Sequence, residues 1–284
     1  MALALTENRF KVYASFVKLE HTIFSLPLIF AGTLLNLHRR PSPRLAGLIL
    51  LAAVGARTLA MGLNRLIDAE IDARNPRTRR RELPRGLMQR SEAWAVIGVA
   101  GLLYIASAAA ISPICLALSP IPVLLFAIYP YLKRFTSFAH FGLGLAWSMA
   151  PVGGWLAASH SLVRIGKMWW LWLFALLWVT GFDIIYATMD EAFDRRAGLH
   201  SLPVALGRRK ALMVAALLHG LAFLCLTELW RNRLTSLSAL LWMAAIGMLL
   251  VLEHLSAERY PEFSFFQINA IIGFMVLGAV YTGV

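Results

Sequence analysis

The sequence predicts an all-α integral membrane protein, with nine transmembrane helices in one bundle. Three observations carry that prediction. Hydrophobic residues make up 59% of the 284 and charged residues only 15%, too few charges to solvate an ordinary soluble domain. Apolar runs of about 17–23 residues recur along the whole chain. The basic residues, which set a net charge of +12, fall in short loops between those runs. That is the pattern of a polytopic protein with basic loops against anionic lipid, so the expected surroundings are a lipid bilayer and not a nucleic acid.

Taken in order, the N-terminal MALALTENRFKVYASFVKLEHT is polar and basic. No small-residue cleavage site follows a compact apolar core, which predicts a retained first span and not a signal peptide. The nine spans are expected at roughly 17–37, 45–67, 93–111, 114–132, 138–158, 168–190, 211–229, 235–255 and 265–283. Only Ser112-Pro113 divides the third from the fourth. With the N-terminus inside, roughly 18 Lys/Arg fall in cytoplasmic loops and about 7 outside. Loops 73–92 and 195–210 and the Lys133-Arg134 pair lie inside, while Arg39, Arg40 and Arg44 lie outside. Without linker or low-complexity stretch, residues 1–284 are expected to form a single membrane domain. Cys115 and Cys225 sit in apolar runs without ligand spacing and read as packing residues. Trp169, Trp170 and Trp172 read as an interfacial belt.

The stretch NRLIDAEIDARNPRTRRRELP places Asn64, Asp68 and Asp72 at steps of four, followed by a burst of arginine. On a continuous helix each step advances by about 40°, so the three side chains share one side, roughly 6 Å apart along the axis. A second ladder, DIIYATMDEAFD, carries Asp183, Tyr186, Asp190 and Asp194. Both ladders close even-numbered spans and so face the cytoplasmic side. Asp68/Asp72 and Asp190/Asp194 share their spacing, and Arg, Gly and a Leu-Pro pair follow each, which hints at an ancient repeat of helical units.

A lone D-x-x-x-D at a helix end reads as a solvated interfacial face, and arginines 77–81 alone read as a positive-inside anchor, the role expected of Arg79 and Arg80. Two ladders on one side, flanked by arginine, point instead to chemistry, because acids at the end of a membrane helix default to functional hypotheses. Converging carboxylates repel unless cations neutralise them. Magnesium suits that role, since it is held by one or two carboxylates and keeps water and phosphate oxygens as its other ligands. Arg77 and Arg81, with Arg79, Arg80 and Arg85 nearby, supply guanidinium groups for phosphate. A diphosphate on a lipid tail would place its head at the cytoplasmic mouth and its tail among the helices. His200, Ser201 and Asp194 do not read as a nucleophilic triad, since no oxyanion motif lies near.

These residues resemble the UbiA superfamily of membrane prenyltransferases. Asn64, Asp68 and Asp72 match its N-x-x-x-D-x-x-x-D signature, and Asp183, Tyr186, Asp190 and Asp194 match D-x-x-Y-A-x-x-D-x-x-x-D. Tyr129 and Lys133 in YPYLKRFT resemble its Y-x-x-x-K on the fourth span. KLEHTIFSLP and GLHSLP look most like the bacterial quinone-pathway branch, which contains 4-hydroxybenzoate polyprenyltransferases and the 1,4-dihydroxy-6-naphthoate enzymes of the futalosine menaquinone route.

The resemblance implies a nine-helix bundle around a central apolar cavity in a bacterial plasma (inner) membrane, with the active site on the cytoplasmic side. It implies transfer of a polyprenyl group from polyprenyl diphosphate to an aromatic acid acceptor, for ubiquinone or menaquinone. Mg2+ would be bound through Asp68, Asp72, Asp190 and Asp194, with Asn64 orienting a carboxylate or binding metal directly. Lys133, Arg77 and Arg81 would offset charge on the departing diphosphate, while Tyr129 and Tyr186 would stabilise the allylic cation through their ring faces. Arg57, seven residues before Asn64 and deeper in the span, either binds the acceptor carboxylate or pairs structurally with a backbone carbonyl or with Asp183. His21 either positions the acceptor hydroxyl or sits at the interface.

The rivals are other acceptors within the superfamily (haem, chlorophyllide, homogentisate, 1,4-dihydroxy-2-naphthoate, a glycerol-phosphate lipid) and a cation-coupled transporter. A transporter needs acids near the bilayer midplane and not at helix ends. A CDP-alcohol phosphotransferase is disfavoured by the missing D-G-x-x-A-R lead-in.

Overall fold

A computed structural model of the chain describes residues 8–18 and 22–284. The helices are Arg9–Val17 (α1), Thr22–Leu37 (α2), Pro43–Ile67 (α3), Ala69–Arg74 (α4), Arg90–Ile111 (α5), Pro113–Leu118 (α6) and Pro120–Leu132 (α7). They continue as Ala139–Ser159 (α8), Trp169–Ala187 (α9), Glu191–Ala197 (α10), Leu202–Leu206 (α11), Arg208–Leu229 (α12), Leu237–Ala257 (α13), Pro261–Phe263 (α14) and Asn269–Gly283 (α15). Among the described residues, eight helical segments are long and apolar enough to cross a membrane, and a shorter apolar helix spans Ser25–Leu37. The expected all-α membrane architecture is therefore present, with the ninth segment shorter than the rest.

Local sequence explains where several helices start. Ser42 accepts from the Leu45 N–H at 3.2 Å with Pro43 in the first turn, and Ser112 and Ser236 cap α6 and α13 in the same way. Each supplies an acceptor for an N–H that lacks a partner within the helix. At α5, Gln89 and Glu92 form a reciprocal capping box.

Two expected spans are broken. The first is not one helix over 17–37: α1 ends at Lys18, whose φ is 51°, and α2 has 16 residues. At 1.5 Å per residue α2 reaches only about 24 Å. The fourth span divides at Ser119 into α6 and α7, where Pro120 opens a new helix and cannot continue the old ladder of hydrogen bonds.

The long helices close a ring in the order α3, α7, α8, α9, α12, α13, α15 and α2, with α5 packed on α3 and α2 also packed against α8. Lipid offers no hydrophobic drive for helices to associate, so close backbone approach matters. Between α2 and α8, a Cβ on Gly154 would lie 1.8 Å from the Ile29 carbonyl oxygen, and one on Gly32 would lie 2.0 Å from that of Pro151. On the other side of the ring a buried polar brace joins α9, α12, α13 and α15. Trp178 Nε1 donates to Asn269 at 2.6 Å, Asn269 donates to Glu253 at 2.7 Å, and His219 bonds the Trp178 carbonyl at 3.0 Å. These contacts hold α9, whose far end carries the second acidic ladder.

Candidate active site

Both ladders straddle a helix break and not a continuous helix, which corrects the expectation for Asn64, Asp68 and Asp72. Helix α3 stops at Ile67, and Asp68 carries the chain into α4 with φ −92° and ψ 1°. Helix α9 stops at Ala187, and Asp190 leads into α10 with φ −102° and ψ 0°. Both aspartates occupy the sparsely populated bridge region where active-site residues are often found. In both, the N–H four residues on (Asp72, Asp194) returns to the aspartate carbonyl at 2.8 Å. The first ladder breaks at Asp68 and the second over residues 188–190, each keeping one helical turn beyond its aspartate, and both aspartate side chains are held by distant cations and not by local backbone.

Among the described residues, cations bind three of the four carboxylates. Lys133 Nζ donates to Asp68 at 2.6 Å, and Asn64 donates to the same oxygen at 3.3 Å. Arg81 donates to Asp72 at 2.7 Å. Arg77 donates to Asp190 through Nε at 2.9 Å and through a terminal nitrogen, and its other terminal nitrogen reaches the Tyr186 hydroxyl at 2.5 Å. Arg77 thus ties the loop after the first ladder to the second ladder. Arg79, Arg80 and Arg85 are exposed.

The electrostatics follow from burial and these pairs. Burial pushes the Asp68 carboxyl up, against the pull of Lys133. Burial also raises Asp190, but the Arg77 and Asn75 hydrogen bonds outweigh it and hold this carboxyl below its usual range. Burial and the neighbouring Asp190 charge push Asp194 up to about 6. Arg77 is raised above its ordinary value: burial opposes its charge, but Asp190 and Tyr186 more than compensate.

Above this mouth lies an apolar cavity, open on one side and walled by α2, α3, α5, α6, α7 and α8. Arg57 and Tyr129 line it. Tyr129 is one turn before Lys133 and Arg57 two turns before Asn64, so the cavity runs toward the acids. Among the described residues Arg57 pairs with neither Asp183 nor a backbone carbonyl, the two partners its structural reading offered. Its Nε is buried without a hydrogen-bond partner, and its guanidinium lies 5.2 Å from the Trp147 ring centroid. The Arg77 guanidinium lies over one face of the Tyr186 ring, 4.8 Å from its centroid. Asp183 accepts from His140 at 2.7 Å. His21 lies outside the described residues.

Three partners were not singled out from sequence. Asn75 donates to Asp190 at 2.8 Å, Arg134 lies 3.7 Å from Asp68, and His140 holds Asp183. Behind them Glu82 accepts from Arg65 at 2.6 Å and from Ser15 at 2.5 Å, bracing the arginine loop against α1 and α3. Position within NPRT was a signal for Asn75, since Asn before Pro marks a turn. His140 opens an otherwise apolar helix and gave none.

The donor set fits a magnesium ion that is completed by its substrate. Among the described residues no three of His, Cys, Asp and Glu cluster tightly enough to hold an ion unaided. The acids form two pairs of hard oxygen donors, and Asp68 Oδ1 is buried without a hydrogen-bond partner. One or two carboxylates per ion, with phosphate and water as the remaining ligands, is how Mg2+ is usually held.

A helical membrane bundle with an apolar cavity behind paired acids and arginines defines a class, the membrane enzymes that process lipid-borne phosphate esters. Within that class the chain belongs to the UbiA prenyltransferase family, whose family model matches residues 25–271. It is thus a UbiA-type prenyltransferase. It is 27% identical over 290 residues to the 4-hydroxybenzoate octaprenyltransferase of Vibrio cholerae serotype O1, covering 99% of this chain and 100% of that one. The enzyme of the same name from Coxiella burnetii is 28% identical over 246 residues, 85% of each chain. Among solved structures, the apo structure of a UbiA homolog from Aeropyrum pernix K1 superposes with a TM-score of 0.85 at 32% identity, over 92% of this chain and 97% of that one. A UbiA homolog from Archaeoglobus fulgidus bound to GPP and Mg2+ shares the fold, with a TM-score of 0.72 at 20% identity, over 96% of this chain and 100% of that one.

Proposed function

We propose that this chain, acting as one membrane domain over residues 1–284, transfers a polyprenyl group from polyprenyl diphosphate to the ring of an aromatic acid. The acceptor is 4-hydroxybenzoate or 1,4-dihydroxy-6-naphthoate, and the product feeds quinone biosynthesis at the cytoplasmic face of a bacterial plasma membrane. The observation that carries this reading is Arg57, a half-buried arginine in the wall of the apolar cavity whose Nε is buried and unpartnered. Such a fork matches a planar carboxylate bidentately.

The prenyl tail occupies the cavity, whose lining is almost entirely apolar and suits a hydrocarbon. The diphosphate lies at the mouth, held by Lys133, Arg77 and Arg81. Asp68, Asp72, Asp190 and Asp194, with Asn64, would hold Mg2+, which supplies Lewis-acid stabilisation of the leaving diphosphate. The prenyl C–O bond breaks and its electron pair leaves with the diphosphate. The ring carbon of the acceptor supplies the pair for the new C–C bond and then loses its proton. Tyr129 presents its ring to the developing cation, worth about 0.5–2 kcal/mol, and the apolar wall excludes the water that would quench it.

The test offers both acids in parallel to membranes containing the protein, with polyprenyl diphosphate, and identifies the product by mass. One prenylated acid, formed only with the protein present, supports the reading. Prenylation of haem, chlorophyllide or homogentisate with neither acid used would overturn the acceptor assignment.

A further inference from the structure

We propose that His140 is a positioning residue for prenyl transfer: it holds Asp183 as an uncancelled negative charge beside the end of the cavity where the allylic cation forms. This inference rests on the prenyl-transfer reading. His140 opens α8 and is 4% exposed. Its Nε2 accepts the Leu202 N–H at 3.3 Å. That bond needs the Nε2 lone pair, so the ring is neutral and Nδ1 carries the hydrogen, donated to Asp183 at 2.7 Å.

The consequence is one of charge. Lys133, Arg81 and Arg77 pair with Asp68, Asp72 and Asp190, and each of those contacts cancels a carboxylate. Neutral imidazole fixes the Asp183 carboxylate without cancelling it. The charge also lies in a useful place. On α8, His140 shares a face with Leu143 and Trp147, three and seven residues on, and both line the cavity. Asp183 lies within electrostatic reach of Tyr129, another lining residue.

The backbone is arranged to permit the contact. A Cβ on Gly144, one turn from His140, would lie 2.2 Å from Thr180 Oγ1 and 2.7 Å from the Leu176 carbonyl. Glycine there lets α8 and α9 close on each other, and Thr180 is three residues before Asp183. Leu202 is the first residue of α11, just past the turn that follows Asp194, and the His200 N–H donates to the Lys133 carbonyl at 2.7 Å. His140 therefore joins three elements that meet at the mouth.

The experiment measures kcat, both KM values and thermal midpoint for wild type, His140→Ala and His140→Asn, in which the Asn amide replaces the Nδ1–H donor. It also follows the ring N–H proton of His140 by NMR in wild type and Asp183→Ala. We expect His140→Ala to lower kcat about 10–100-fold, the loss of a hydrogen bond to a charged group. The KM for prenyl diphosphate should hold, and His140→Asn should recover most of the loss. Equal activity in all three proteins, or losses in both variants that track the thermal midpoint, would overturn the proposal. If wild type prenylates no aromatic acid, the functional reading fails, and the NMR arm decides this one. A strongly downfield Nδ1–H signal lost in Asp183→Ala supports it, and an unchanged signal contradicts it.

Discussion

Arg77 grips Asp190 through two nitrogens, so the loop after the first acidic ladder is bonded to the second ladder across 113 residues of sequence. The cation proposed for diphosphate and the carboxylate proposed for metal thus neutralise each other. Either ligand arriving alone must break this pair, whereas arriving together each releases the partner that the other needs. Magnesium and a non-reactive prenyl thiodiphosphate are therefore expected to bind cooperatively, with affinities raised about 5–150-fold by each other. Calorimetric titration of wild type and Arg77→Gln tests this. Equal magnesium affinity with and without the analogue in wild type would rule the coupling out.

Arg57 should show a division between stability and function. A half-buried guanidinium whose Nε is buried and unpartnered costs desolvation that Trp147 only partly offsets. Arg57→Met is expected to keep or raise the thermal midpoint while lowering kcat/KM for the aromatic acid about 10–100-fold, the loss of a charged hydrogen bond. Unchanged acceptor kinetics would return Arg57 to a structural role.

The pH dependence of stability has a sign set by Asp194. Its pKa is raised from 3.8 to about 6 in the folded chain. Its contribution to stability is therefore full below pH 3.8 and is lost as pH rises through about 6. Asp194→Asn should match wild type in thermal midpoint at low pH and exceed it increasingly toward neutrality, in protein stripped with chelator. A difference that does not change with pH would contradict this.

Gly154 tests the packing of α2 on α8. A methyl group there meets the Ile29 carbonyl, a backbone atom that cannot swing aside. Gly154→Ala should cost about 1–3 kcal/mol through overpacking, read as a lower midpoint in detergent. Gly153→Ala, where a Cβ meets nothing within 4 Å, is the neutral control.

Much of this architecture is legible in the sequence, for physical reasons. Run length reveals membrane spans because the bilayer sets a minimum, and acids beside arginines stand out against an apolar chain. The breaks at Asp68 and at residues 188–190 are not legible, because an excursion of one to three residues from helix is decided by tertiary bonds such as those from Lys133 and Arg77. Which arginine meets which acid is hidden too, since Arg77 and Asp190 become neighbours only when α3 and α9 pack in one ring. His140 was invisible because a single histidine at the start of an apolar helix looks like any other polar helix end, and only the approach at Gly144 brings it to Asp183.

The most direct test of prenyl transfer at the acidic mouth uses membranes, radiolabelled polyprenyl diphosphate, magnesium and the two aromatic acids, with Asp190→Ala and a chelated sample alongside. The account predicts a labelled prenylated acid in wild type, reduced at least about 100-fold in the variant, as expected when stabilisation of departing charge is lost, and absent on chelation. Undiminished product in intact Asp190→Ala protein would contradict it, as would a variant whose only defect is in cation flux.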